Sequence, residues 1–428
     1  MAGATKLLTF FDFIEIFRSN EDGPQSNMDS LIQYEFAILL MGATMCLFMA
    51  LYFHIDSRPL QAPDRAPNKF LAGFMTVYGL TFIDSFLEVS DAIFQQPHLT
   101  GVLIPSFFLL GPLFYFYIRD SYDSETYILD KKRCRHFIFP LLSIAFITPF
   151  LLLPESLKFA LLMEDRNLPQ TPHLLVSIGG IIAVYISLPV QILYYLVRSY
   201  RVLMQYFTDL KQFFANIDDH RLDWLRFLIL MLSLQWLIYA YENLVGWPES
   251  WADSIEFATT VMDVAIVYFL SFKGLRQATL RQGEARITRP DNHAEDSRAT
   301  TPKYAKSALQ RDDAKRILAK LRKALETDGL YTNSMLSLRS LGDHTGISIN
   351  YISQVINQEL GCNFFDFVNK FRIEAAKRQL SHAPDRKIPV LEIAHAVGFN
   401  SKSTFNTAFK RYTGLTPTEY RKQQAPAE

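Results

Sequence analysis

Four stretches of this chain run for 18 residues or more without a charged side chain: Phe36–Phe53, Leu99–Ile118, Phe137–Pro154 and Leu174–Val197. A helix rises about 1.5 Å per residue and the bilayer core is about 30 Å thick, so about 20 mainly apolar residues cross it. Lipid offers the backbone no water, and a helix closes its own hydrogen bonds. These runs therefore predict membrane-spanning helices. Three further runs, Phe70–Phe94, Leu222–Trp247 and Trp251–Phe272, are long enough but carry acids. The expected number of spans is seven.

Loop charges orient them, because Lys and Arg gather on the cytoplasmic side of short loops. Arg58, Arg65 and Lys69 fall between spans one and two, and Arg119, Lys131, Lys132, Arg133 and Arg135 between three and four. Arg198, Arg201, Lys211 and Arg221 fall between five and six. The alternate loops hold only Lys158 and Arg166, both between spans four and five. The N-terminus is expected outside and everything after Lys273 in the cytoplasm. The formal net charge is zero, yet Met1–Lys273 carries 18 Lys and Arg against 27 Asp and Glu, whereas Gly274–Glu428 carries 25 against 16. A basic C-terminal third implies an anionic partner, nucleic acid first.

Ahead of the spans, Leu7, Phe10, Phe11, Ile14 and Phe17 recur at helical spacing around Asp12 and Glu15. This predicts an amphipathic segment over residues 1–30, lying on the membrane surface or packing on other helices, rather than a signal peptide. Cys46, Cys134 and Cys362 are far apart, with no Cys/His spacing for a metal. Neither a disulfide framework, a metal site nor a cofactor is expected.

Ionisable groups in lipid are costly and face a polar interior by default. Asp84, Glu88 and Asp91 lie on one face of span two at i, i+4 and i+7. Glu242, Glu256 and Asp263 fall mainly in the outer half of spans six and seven. Two readings stand: an acidic pocket that admits a ligand from outside, or groups that sit near the interface or bond hydroxyls such as Tyr78 and Tyr239. Pro105, Pro112 and Pro189 kink their helices or merely pack.

Residues 31–276 thus read as a seven-helix transmembrane domain and 277–310 as a polar, flexible linker punctuated by Pro290 and Pro302. The first turns of that linker, to about Ile287, extend span seven as a helix. A flexible tether transmits torque poorly. From 311 to 428 the pattern becomes soluble and helical. Ile317, Leu318, Leu321 and Leu325 repeat at helical spacing, and two helix–turn–helix units then follow at an offset of 53 residues. Ser348 matches Ser401, Ile352 matches Phe405, Ile356 matches Phe409, Gly361 matches Gly414 and Phe367 matches Tyr420.

Gly346 and Gly398 suit the tight turns, Gly342 and Ala394 a close helix crossing, Ser348 and Ser401 helix caps, and Gly361 and Gly414 helix stops. Thr416-Pro417-Thr418-Glu419 is a capping-box start. Ile352, Val355 and Ile356 point inward in the first unit; Asn350, Ser353, Gln354 and Asn357 point outward. In the second, Phe405, Phe409 and Tyr412 point inward, and Lys402, Ser403, Asn406 and Lys410 outward. Outward amides, hydroxyls and lysines at the start of a second helix suit base edges and phosphates in a major groove. A helix of about 17 residues between the units spans roughly 25 Å, fit to hold two readers near one DNA turn.

The run "YISQVINQELGCNFFDFVNKFRI" followed by "IAHAVGFNSKSTFNTAFKRYTGLTPTEYR" resembles the AraC/XylS type of bacterial transcription regulator over about Leu330–Arg421. The resemblance implies a seven-helix module with two helix–turn–helix units. It further implies base reading by Asn350, Ser353 and Gln354 in one unit, and by Lys402, Ser403, Asn406 and Thr407 in the other, with Lys410 beside them. Gly342 departs from the more usual alanine, and the first unit has no outward basic residue. The N-terminal part resembles membrane-embedded sensor versions rather than soluble sugar-binding ones.

The expectation is an all-α chain: a polytopic seven-helix membrane domain joined by a flexible linker to a DNA-binding domain with two helix–turn–helix units. It would act as a non-enzymatic, one-component regulator in a bacterial inner membrane. Its expected partners are the bilayer, promoter DNA, an unidentified signal and a second copy, with signal-controlled pairing of copies raising effective concentration on paired sites. A transporter or membrane enzyme with a regulatory tail is the alternative, although no nucleophile elbow, HExxH or P-loop occurs in the spans. A passive anchor with proteolytic release at the linker is another.

Overall fold

The structure, a computed structural model, describes residues 25–56, 67–90, 92–122, 131–162, 171–217, 223–283, 311–382 and 388–424. The amphipathic stretch before residue 18, Asp91 and residues 284–310 of the expected linker lie outside these. Among the described residues every named element is helical, and the only strand-like pairing is one bridge. The chain divides into two compact units: Met1–Leu203 with Asp223–Ala285, and Met204–Leu222 with Arg286–Glu428.

The first unit is built on long apolar helices. They are α1 (Gln25–Asp56), α2 (Pro67–Val89), α3 (Leu110–Tyr122), α4 (Ile138–Leu151), α5 (Glu155–Leu162), α6 (Pro172–Phe213), α7 (Asp223–Leu244) and α8 (Glu249–Gly283). Six spans meet the length and apolarity needed to cross a membrane, and there are seven if the bent pair α4–α5 is one span. Large apolar side chains stand exposed along these helices, among them Leu141, Ile186, Val190 and Leu230, each more than 60% open. Water penalises such surface and lipid does not.

Three spans differ in detail from their sequence patterns. The third, Pro97–Ser121, breaks between a short helix Ile104–Phe107 and α3, where Pro105 and Pro112 interrupt the backbone ladder. The fourth bends by 101° after Leu151. There Lys158, fully buried, donates to the Leu151 carbonyl at 2.9 Å and so caps the end of α4 instead of standing as a loop charge. The fifth helix runs 42 residues rather than stopping near Val197, about 63 Å, twice what a bilayer requires. Pro189 does not end it.

Close approach and buried polar bonds hold the helices together. At Gly42 a Cβ would lie 2.7 Å from the Phe82 ring, so only glycine lets α1 and α2 cross there. Arg133, counted among the loop charges, is buried and pairs with Asp120 through two bonds of 2.9 and 3.0 Å. Trp236 donates to the Pro189 carbonyl and Gln191 to that of Phe108, tying α7 to α6 and α6 to the third span.

The second unit has the expected seven C-terminal helices: α9 (Arg311–Glu326), α10 (Leu338–Thr345), α11 (Ile349–Leu360), α12 (Phe364–His382), α13 (Val390–Ala396), α14 (Lys402–Thr413) and α15 (Pro417–Gln424). One core gathers Leu321, Leu325, Leu341, Ile352, Ile356 and Phe367 beneath the first helix–turn–helix. The other gathers Ile373, Ile393, Val397, Phe399, Phe405 and Phe409 beneath the second. Tyr331 packs against both. Unforeseen in the sequence, the last turns of α6 and residues 214–217 also belong to this unit.

Candidate nucleic-acid interface

Each helix–turn–helix forms where local chemistry leaves little choice. In the first, Ser337 and Ser340 exchange backbone and side-chain bonds of 2.9 and 3.1 Å to start α10. Gly346 ends it at φ 65°, and Ile347 returns its N–H to the Gly342 carbonyl. A Cβ on Gly342 would sit 3.0 Å from the Ile347 oxygen and 3.3 Å from Ile349 Cγ2, which explains glycine where the second unit has Ala394. The second turn is tighter. Gly398 has φ 95°, and a Cβ there would meet the Tyr331 carbonyl oxygen at 2.6 Å.

The two serine caps differ. Ser401 accepts from the Thr404 N–H at 3.1 Å, whereas Ser348 occupies the cap position of α11 without a side-chain bond. The capping box at α15 forms as its sequence requires: Thr416 N–H donates to Glu419 at 2.7 Å, and Glu419 N–H to Thr416 Oγ1 at 3.3 Å. The bond from the Thr416 backbone holds the Glu419 carboxylate below its ordinary value.

The inward residues are buried as expected, save that Tyr412 stays exposed, with its hydroxyl on the Asp366 carbonyl at 2.9 Å. On the outward face of α14, Lys402, Ser403, Thr407 and Lys410 are exposed and Asn406 is half-buried. On α11, Asn350 and Asn357 are exposed, while Ser353 and Gln354 are half-buried. Asn357 donates to Ser353 at 3.3 Å and Gln354 to Gln358 at 3.2 Å, so this face is a self-bonded polar surface. The structure thus groups the predicted contact residues on the second helix of each unit.

Two features escaped the sequence reading. Arg411 grips Asp366 on α12 with bonds of 2.8 and 3.2 Å, which braces α14 against the helix joining the two units. That bond holds the guanidinium above its ordinary value. Arg372 is fully buried over the Phe399 ring, donating to the carbonyls of Tyr331, Ala215 and Asn333 at 2.8, 3.1 and 2.9 Å. Burial pulls it down to about 10, which leaves it charged at neutral pH. A lone arginine in a basic amphipathic helix reads as a surface charge, so nothing in the sequence flagged it.

In the first unit, Tyr78 and Gln235 donate to the two oxygens of Asp263 at 2.5 and 3.0 Å, joining α2, α7 and α8. Thr260 donates to the buried Glu35 at 3.3 Å. Glu88 lies within electrostatic reach of Asp84 and Glu242, and Tyr185 within reach of Tyr239, Glu88 and Asp84. Glu256 is half-buried on α8. The structure therefore divides the predicted acids: Asp263 is bonded within the bundle, and Asp84 and Glu242 neighbour Glu88. Glu35, Gln235 and Tyr185 were not foreseen, since single polar residues beside apolar runs carry no periodic signal.

The class this geometry defines is a double helix–turn–helix module on an all-helical chain with membrane-compatible spans. Residues 341–423 match the family model described as a helix-turn-helix domain. An uncharacterised transcriptional regulatory protein, YesN of Bacillus subtilis, is 36% identical over 97 residues, covering 22% of this chain and 26% of YesN. An uncharacterised HTH-type transcriptional regulator of Staphylococcus aureus is 35% identical over 92 residues, covering 22% of this chain and 12% of its own length. The chain thus spans about a quarter or less of these relatives. The C-terminal domain of AraT, a response regulator from Geobacillus stearothermophilus, aligns with 31% identity over 28% of this chain and 93% of its own, at TM-score 0.23.

Proposed function

We propose that this chain is a membrane-bound, one-component transcription regulator, in which α11 and α14 read promoter DNA in the cytoplasm under control of a signal received by seven membrane spans. The observation that carries the reading is the second recognition helix, α14, with Lys402, Ser403, Thr407 and Lys410 open to solvent in a duplicated helix–turn–helix. Lysines at the rim meet phosphate, and Asn406, Ser403 and Thr407 meet base edges; Asn350, Ser353 and Gln354 do the same from α11. The relatives named as transcriptional regulators match in this region and support DNA reading.

Membrane placement draws support from the exposed apolar side chains and from the loop charges. The module's topology adds a further argument. Residues 204–217 share a compact unit with the C-terminal helices, and two spans, α7 and α8, separate them in the chain. An even number of crossings returns a chain to the side it left, so the loop after span five and the reader lie on one side. In this reading Asp84, Glu88 and Glu242, with Tyr185, line the signal site, joined by Asp91 and Glu256, while Asp263 braces the bundle.

Genome-wide capture of DNA by the full chain tests the reading. A defined set of promoter sequences, lost when Lys402 and Asn406 are both changed to Ala, is expected; a signal unchanged by that double substitution contradicts it.

A further inference from the structure

The C-terminal unit contains a docking edge already occupied by this chain's own loop. Helix α6 ends at Phe213, and Phe214 forms an antiparallel bridge with Ser337, the residue that caps α10. Ala215 N–H donates to the Leu336 carbonyl at 3.0 Å. Its side chain is 1% exposed and packs in the core beneath the first helix–turn–helix with Leu321, Leu341, Ile356 and Phe364. Its carbonyl accepts from Arg372 at 3.1 Å. Asn216 and Ile217 are buried as well. A backbone pair, a buried methyl and a charged donor make a specific seat rather than a grazing contact.

The seat lies beside the first recognition helix. Gln212 lines a hollow together with Ser353, Ile356, Asn357 and Phe364. Ser353 and Asn357 stand on the outward face of α11. A major groove is about 12 Å wide and a helix with its side chains about 10–12 Å across, so α11 alone fills the groove. A second helix end held at its flank would compete with the DNA backbone for that space.

We propose that residues 212–217 are an autoinhibitory latch, docked on the reader to keep α11 out of the groove and withdrawn when the membrane helices move α6. This rests on the reading of the C-terminal unit as a DNA reader. The seat is reversible by construction. Once the segment leaves, Arg372 still holds the Tyr331 and Asn333 carbonyls, and the core of Leu321, Leu341 and Ile356 gives up only the Ala215 methyl and the edge contact of Phe213. The second unit has no such occupant among the described residues, so α14 stays free to hold DNA while α11 is withheld. The signal then passes through a continuous helix and a short contact instead of the linker.

A reversible lock tests this in the full chain, in lipid nanodiscs, with Cys46→Ala, Cys134→Ser and Cys362→Ala as background. Phe214→Cys and Ser337→Cys place two thiols across an antiparallel bridge, a separation that a disulfide spans. The probe is a duplex selected from a random library by the reduced protein. The reduced protein is expected to protect two adjacent major grooves. The oxidised protein should lose the first groove, or all binding, with affinity at least ten-fold weaker. Equal footprints and affinities overturn the latch and make the segment a permanent part of the reader. Failure of the disulfide to form in the free protein overturns it too, because the segment is then not seated. A cysteine-free background protein with Phe214 and Ser337 intact that selects no sequence at all removes the DNA-reading function on which the latch rests.

Discussion

Helices α11 and α14 are each 12 residues long and each follows a glycine-containing turn. At the 53-residue offset, Ile349 and Asn357 of the first stand where Lys402 and Lys410 stand in the second. The first outward face is amides and hydroxyls bonded among themselves; the second is flanked by two exposed lysines. The first also has a docked segment at its flank, and among the described residues the second does not. In the proposed reading these two helices of one shape divide the work: the second supplies phosphate attraction, and the first supplies sequence selectivity under control of the docked segment.

The largest expected effect comes from the residue that serves both units. Arg372→Ala strands three buried carbonyls at about 1–3 kcal/mol each, so the module should lose about 3 kcal/mol or more. Hydrogen exchange on the full chain in nanodiscs reads this out, and unchanged protection in α10–α15 would show that the arginine is dispensable. Next come the turn glycines. Gly398→Ala combines a left-handed backbone with a 2.6 Å approach to the Tyr331 oxygen and should cost about 2–3 kcal/mol. Gly346→Ala has the same strain in open space and should cost about 1 kcal/mol. Equal losses in thermal unfolding would break the claimed difference between the turns.

Smaller effects separate the faces. Lys402→Ala and Lys410→Ala should each lower the slope of log affinity against log salt by about 1, while Asn357→Ala leaves it unchanged. Asn406→Ala should relax base preference by about 1–3 kcal/mol at one position without altering that slope. A salt titration in which α11 and α14 variants behave alike would erase the division of labour. The smallest contrast concerns the caps. Ser401→Ala loses a formed bond and about 1 kcal/mol, whereas Ser348→Ala, with no bond to lose, should cost only a few tenths. Chemical denaturation that ranked them the other way would refute the cap assignment.

Much of this was legible in the sequence, for physical reasons. Lipid demands long apolar runs, so the spans announce themselves, and a duplicated motif repeats its cap serines, inward apolar residues and helix-stop glycines (Ser348 and Ser401, Ile352 and Phe405, Gly361 and Gly414) at one offset. The bend after Leu151 was not legible, because Lys158 capping a helix end inside the bundle looks like an ordinary loop charge. Nor was the extra length of α6, which continues past Val197 to Phe213 through a stretch where polar and aromatic residues mix. The seat of Ala215 left no trace: a two-residue extended contact has no period, and an alanine has no side-chain signature. Polar partners such as Gln235 for Asp263 arise from tertiary packing alone.

Topology is the point on which everything else depends, and a paired reporter measures it. Alkaline phosphatase and a green fluorescent protein are fused separately after Gly283, at the end of α8. The account predicts a fluorescent, phosphatase-inactive cell, with the junction in the cytoplasm where the chromosome is. An active phosphatase and a dark fluorescent fusion would place the reader outside and contradict it.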